Sequence, residues 1–184
     1  MAEDNLAQEL ANQGRTEEAL VHFHHILNLH NWRPSDLLAF GLYEQRHGYA
    51  GDAIKQYQRA LQSATDAGTR TAALSNIGSA YLDLNDEDDA EQSFKSALQT
   101  DPSNAQALLG SGLVAQKKGE LEIAIQQYTR AVEASPSDLG YELLGHALEQ
   151  NGDLLAARNA YQRARTLSAN YENTRSIAEH LLAH

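Results

Sequence analysis

The chain has 184 residues, no cysteine, and 25 acidic against 14 basic residues, for a formal charge of −11. Without cysteine there is neither a disulfide framework nor a thiolate metal site, and the acidic balance argues against a general nucleic-acid or anionic-membrane binder, which needs a basic face. No apolar run matches a signal-peptide core or a bilayer span, so this segment is not expected to insert into a membrane. It is expected to be cytoplasmic by default, unless it belongs to a larger exported or membrane protein.

In chain order, the first predicted helix lies in AEDNLAQELANQG, with Leu6, Ala7, Leu10 and Ala11 on one face. The next carries HFHHILNLH. Its His22 and His25 stand three apart, but no acid or thiol at fitting spacing completes a ligand set, so they read as solvent-facing residues flanking Phe23. Pro34 and Ser35 open the following helix, proline tolerating the first turn and Ser35 offering a capping oxygen. The junction Ser63 to Thr69 is longer than the others and predicts a longer second helix or a small edge loop. Asn85 to Asp89 forms an acidic turn in which Asn tolerates the left-handed conformation and Asp86 caps the next helix. It lacks the glycine and terminal Glu of a calcium loop.

From Ala105 to Asp138 the pattern is clearest. Two amphipathic runs, Ala107–Val114 and Leu121–Val132, flank a turn at Gly119, and Pro136 ends the pair. Another such pair follows, and the last stretch, ENTRSIAEHLLAH, is one more helix striped by Ile177, Ala178, Leu181 and Leu182.

These helix pairs repeat in register. Gly14, Gly48, Asn85, Gly119 and Gly152 hold the turn, and Ala19, Ala53, Ala90, Ala124 and Ala157 follow at one fixed distance. Phe23, Tyr57, Phe94, Tyr128 and Tyr161 follow at another, then Ile26, Ala60, Ala97, Ala131 and Ala164. Ala7, Gly41, Gly78, Gly112 and Gly145 precede the turns. A period of about 34 residues with this order resembles the tetratricopeptide repeat. The small residues mark close helix approaches, and the aromatic fills the space beside them.

The resemblance implies an all-α, right-handed α-solenoid of five helix-turn-helix units plus a C-terminal capping helix. The expected units run over 1–33, 34–70, 71–104, 105–137 and 138–171, with the capping helix at 172–184. Natural arrays protect their ends, whereas the first helix here starts at once, so an excised segment of a longer protein is the expectation.

No catalytic motif is present: neither GxxxxGK[ST], nor HExxH, nor a recognisable serine triad. The expectation is a non-enzyme without cofactor or metal. The resemblance implies instead a concave groove lined by the first helix of each unit, suited to a protein or peptide partner. The groove places are Leu38, Leu42 and Gln45 in unit two, Ser75, Asn76 and Ser79 in unit three, Leu109, Leu113 and Gln116 in unit four, and Glu142 and His146 in unit five. Ser75, Ser79 and Gly110 are expected to leave room for a guest. The family's carboxylate clamp matches only at Asn76, and its asparagine ladder only at Asn5 and Asn76, which leaves Asn76 as the best polar anchor. Two other readings stand beside the scaffold. One is the repeat portion of a larger protein, such as a membrane-anchored glycosyltransferase or a secretion component. The other is self-association through the open end of unit one.

Overall fold

A computed structural model describes residues 9–10, 13, 15–29, 32–168 and 170–183. Among these residues there are ten helices and no strand. They are α1 (Thr16–Leu29), α2 (Pro34–Arg46), α3 (Ala50–Ser63), α4 (Ala67–Asp83), α5 (Glu87–Thr100), α6 (Ala105–Lys117), α7 (Leu121–Ala134), α8 (Asp138–Gln150), α9 (Leu154–Leu167) and α10 (Tyr171–Ala183). Four antiparallel pairs, α2/α3, α4/α5, α6/α7 and α8/α9, stack in order, with α1 as the second helix of the unit before them. Of the expected first helix of that unit only Glu9 and Leu10 are described, both helical and Leu10 buried; Asn5, Ala7 and the turn residue Gly14 lie outside the described residues. So do His30 and the side chains of His24 and Ile26.

The turns and caps follow from local chemistry. Gly48, Gly119 and Gly152 have φ of 86°, 78° and 86°, and Asn85 takes the same left-handed place at 57°. Side chains of Asp66, Asp86, Asn104, Ser137 and Asp153 accept from backbone N–H groups of the first turn of α4, α5, α6, α8 and α9. At α2 the sequence expectation shifts by a place. Pro34 opens the helix, but Ser35 sits inside it beside Asp36, and Arg33 precedes it without a side-chain cap bond. The long junction resolves differently from expectation too. α3 keeps 14 residues and no loop is added; the extra residues lengthen the next helix, α4, to 17. Asp66 makes that start possible, accepting from Thr69 N at 2.8 Å and from Thr69 Oγ1 at 2.8 Å.

The core repeats with the units. Tyr57, Phe94 and Tyr128 are fully buried, each lying on a glycine of its own pair. A Cβ added to Gly41 would stand 2.5 Å from a Tyr57 ring carbon, one on Gly78 2.7 Å from Phe94, and one on Gly112 2.5 Å from Tyr128. Such separations are repulsive, so any larger residue would push the paired helices apart. Second helices then pack on the first helix of the next unit: α3 on α4, α5 on α6, α7 on α8.

The terminal helix breaks that pattern. α10 has no comparable packing on α9; it packs on α8 and reaches α6, a unit further back. Ala178 enters the buried cluster of Leu113, Ala124, Tyr128, Leu143 and Leu144, against which Leu181, Leu182, Leu109 and Leu139 also pack. Thr174 Oγ1 donates to Asp138 Oδ2 at 2.7 Å. The unit-five aromatic, Tyr161, is only half-buried, unlike its three fully buried counterparts.

Candidate functional site

The face formed by the first helices, α2, α4, α6 and α8, carries the residues that the sequence assigned to a groove. The structure divides them. Leu42, Gln45, Asn76 and Ser79 line one cleft of about 250 Å3, joined by Arg46, Asp83 and Gln106. Leu42 is exposed and is the cleft's apolar contribution. Gln106 Nε2 donates to Asn76 Oδ1 at 2.9 Å and approaches Ser79 Oγ at 3.3 Å. Asn76 is therefore engaged within the array and only 7% exposed; a guest would have to take over part of this amide pair. Leu38 is half-buried, packed against the clusters that hold Tyr57 and Phe40.

Other assigned residues are structural. Ser75, Leu113 and Gln116 are buried. Ser75 Oγ donates to Asn104 Oδ1 at 3.1 Å, tying unit three to the cap of unit four. Gly110, expected to leave space for a guest, leaves it for the Phe94 ring of the preceding unit, which its missing side chain would overlap. Leu109 and Leu113 belong to the cluster beneath α10. For Ser75, Gly110 and Gln116 the physical reason is common: a first helix buries a wide stripe between its own partner and the neighbouring unit, so few of its side chains remain for the open face.

Gln45 and Gln116 take part in a relay that the family pattern alone did not reveal. Tyr57 Oη donates to Gln45 Oε1 at 2.8 Å, and Gln45 Nε2 donates to Asp83 Oδ2 of the next unit at 2.7 Å. Tyr128 Oη donates to Gln116 Oε1 at 3.0 Å, and Gln116 Nε2 to Gln150 Oε1 at 2.7 Å. Tyr161 Oη donates to Glu149 Oε2 at 2.7 Å. Burial pushes the Tyr57 and Tyr128 phenols well above their usual range, so both stay protonated donors. In unit three the aromatic is Phe94, and the matching place holds Leu82 instead of an amide. That pairing of Tyr with Gln or Glu, and of Phe with Leu, is visible in the sequence and was the available signal.

Glu142 and His146 lie elsewhere. They line a crevice of about 880 Å3 between α8, α9 and α10, together with Tyr161, Arg158, Arg165 and Arg175 among others. Glu142 is buried; its Oε1 lies 3.7 Å from His146 Nε2, and the His146 ring meets Tyr161 edge-on at 5.5 Å. Among the described residues no group of three potential metal-binding side chains comes together, and no helix is long and apolar enough to cross a membrane. A second buried carboxylate, Glu44 on α2, lies near Gln56; burial raises it to about 8, with the charge of Asp52 adding to the shift.

Comparison with known proteins agrees with this architecture. A family model described as "Tetratricopeptide repeat" matches three overlapping stretches, 38–105, 75–139 and 109–173. A curated relative named "Photosystem I assembly protein Ycf3" from Prochlorococcus marinus is 30% identical over 87 residues, 47% of this chain and 49% of its own. One of the same name from a Synechococcus species is 27% identical over 81 residues, 44% of this chain and 47% of its own. The chain thus spans about half the length of the curated relatives it matches. Among solved structures, a thermophilic TPR protein of Thermus thermophilus superposes with a TM-score of 0.73 at 19% identity, covering 100% of this chain and 98% of that one. MamA from Desulfovibrio magneticus, from its residue 41 to the end, gives 0.71 at 20% identity, covering 90% and 93%. At these identities the superpositions speak for the fold.

Proposed function

Because the chain belongs to the tetratricopeptide repeat family, we propose that it is a protein-interaction scaffold that seats a peptide or partner helix along its first-helix face. The open seat is the cleft of units two to four, where Leu42 supplies apolar contact and Gln45, Asn76, Ser79 and Gln106 supply polar groups for a backbone. The observation that carries this reading is their convergence: side chains from α2, α4 and α6 line one cleft, and Leu42 stays 38% exposed within it. An exposed leucine among polar side chains in a concavity suits a guest's apolar side chain.

The net charge of −11 favours a guest with basic flanks, whose association added salt slows while the apolar contact persists. The name of the Prochlorococcus and Synechococcus relatives, an assembly protein, supports a role in bringing other chains together. No catalysis is assigned to this segment.

The test starts from a partner recovered by pull-down from the source cell. Titration of that partner against Leu42→Arg and Asn76→Ala should show loss of binding in the first and weakening in the second. Unchanged affinity in both folded variants would move the binding surface off this face.

A further inference from the structure

The groove expected from the sequence extends over units four and five as well, at Leu109, Leu113, Glu142 and His146. Part of that surface is taken. α10 lies on the first-helix face, against α8 and α6, with Ala178 fully buried and Leu181 and Leu182 packed against the cluster that contains Leu113 and Leu143. Helix, apolar stripe and groove have the relation of a ligand to its site.

Three observations distinguish α10 from a further stacked unit. Every other described junction from a second helix to the next first helix after α2 is closely packed, and the one between α9 and α10 is not. In its place is the crevice of about 880 Å3. The end of unit five is correspondingly bare, with Leu154 67% and Leu155 72% exposed and Tyr161 half-buried.

The hold on α10 is slight. It buries Thr174 and Ala178, half-buries Leu181 and Leu182, and leaves Ile177 exposed. Near its N-terminus Thr174 Oγ1 donates to Asp138 Oδ2 at 2.7 Å and lies 3.0 Å from Ser168 Oγ. A 13-residue helix is marginal by itself in water, so it keeps its form only while docked or stacked. Elements with few buried contacts open locally without global unfolding.

We propose that α10 is a displaceable occupant of the first-helix face, so that the surface above α6 and α8 accepts a partner's amphipathic helix only in exchange for it. The inference rests on the scaffold reading and adds the partner's chemistry. That partner is a helix with a small residue and two leucines on one stripe and a hydroxyl one turn before them, as in Thr174, Ala178, Leu181 and Leu182. Tethering gives α10 an effective concentration on the order of millimolar. A partner displaces it by binding well below that level.

The probe is a synthetic peptide with the sequence of residues 171–183, titrated into the full chain up to millimolar concentration. Methyl NMR signals of Leu109, Leu113 and Leu143 report the site. Ala178→Arg, which the buried place cannot accommodate, and Thr174→Val, which removes the tie to Asp138, both release α10. The shifts should saturate at a peptide concentration at least tenfold lower in Ala178→Arg than in the parent, with Thr174→Val between them. A peptide carrying Leu182→Arg should leave the signals unmoved. Amide exchange in α10 should also run ahead of that in α8. Equal saturation in parent and variants, or no peptide-dependent shift in any of them, overturns the exchange. Should Ala178→Arg fail to fold, Thr174→Val decides alone. The Leu42→Arg titration concerns a separate cleft, so failure here leaves the scaffold reading to its own test.

Discussion

Tyr128 rests its ring on Gly112 and gives its hydroxyl to Gln116 Oε1, 3.0 Å away on the same first helix. One side chain thereby fixes both the spacing of a helix pair and the link to the following unit, since Gln116 passes a bond on to Gln150. Tyr128→Phe should cost about 1–2 kcal/mol, because a buried amide oxygen loses its donor. Tyr128→Ala should cost about 3–5 kcal/mol through the cavity it leaves. Adding Gln116→Leu to Tyr128→Phe should recover part of the loss, as this recreates the Phe94 and Leu82 pairing of unit three. A double-mutant cycle by urea unfolding measures the coupling, and additive effects would remove the relay.

Glycines in helices here should respond in opposite directions. Gly112→Ala drives a Cβ into the Tyr128 ring and should destabilise by about 1–3 kcal/mol despite alanine's better helix propensity. Gly51→Ala, on α3 with nothing within 4 Å of the new atom, should stabilise by about 0.5–1 kcal/mol. Thermal melts of the two variants check the contrast, and a matching sign in both would contradict the packing described.

Glu44 should make stability depend on pH. Its carboxyl is raised to about 8 in the fold from an ordinary 4.5. The folded state therefore holds a proton that the unfolded chain has already lost. As pH rises from the ordinary carboxylate range toward 8, the unfolded state binds fewer protons than the folded one, and stability falls. Glu44→Gln should flatten this slope and stabilise the protein at pH 8 by about 1–3 kcal/mol, with little effect near pH 4. Melting temperatures across that range decide it.

Removing residues 172–184 should uncover the cluster of Leu113 and Leu143 without unfolding units two to five. Exposed apolar surface of this kind promotes association and dye binding. A truncated chain that stays monomeric at all concentrations and binds no hydrophobic dye would show that α10 covers little.

The repeat framework was legible because its causes are local and recur. A glycine under each aromatic and a left-handed turn residue leave the same mark in units two to five. The candidate cleft was less legible. Leu42 and Leu113 occupy equivalent places in units two and four, yet one is 38% exposed and the other 6%. Leu113 belongs to the buried cluster that Ala178 of α10 enters, and Leu42 does not; no periodicity within a unit encodes where a terminal helix comes to rest. Asn76 stands out in the sequence as a polar groove residue, but its partner Gln106 lies 30 positions away, and only the stacking of units brings the two amides together. The extra residues near Asp66 were visible as an insertion; their fate as a longer α4 depended on the capping bond to Thr69.

Among the described residues, the close contacts between helices, apart from those made by α10, fall within one unit or between neighbouring units. Such a chain can assemble as it is synthesised, each pair settling on the pair already made. α10 reaches past a whole unit to α6, and it emerges only after every helix it covers. A nascent chain thus passes through an interval in which units four and five have emerged and their face is bare, open to other chains before the chain's own helix arrives.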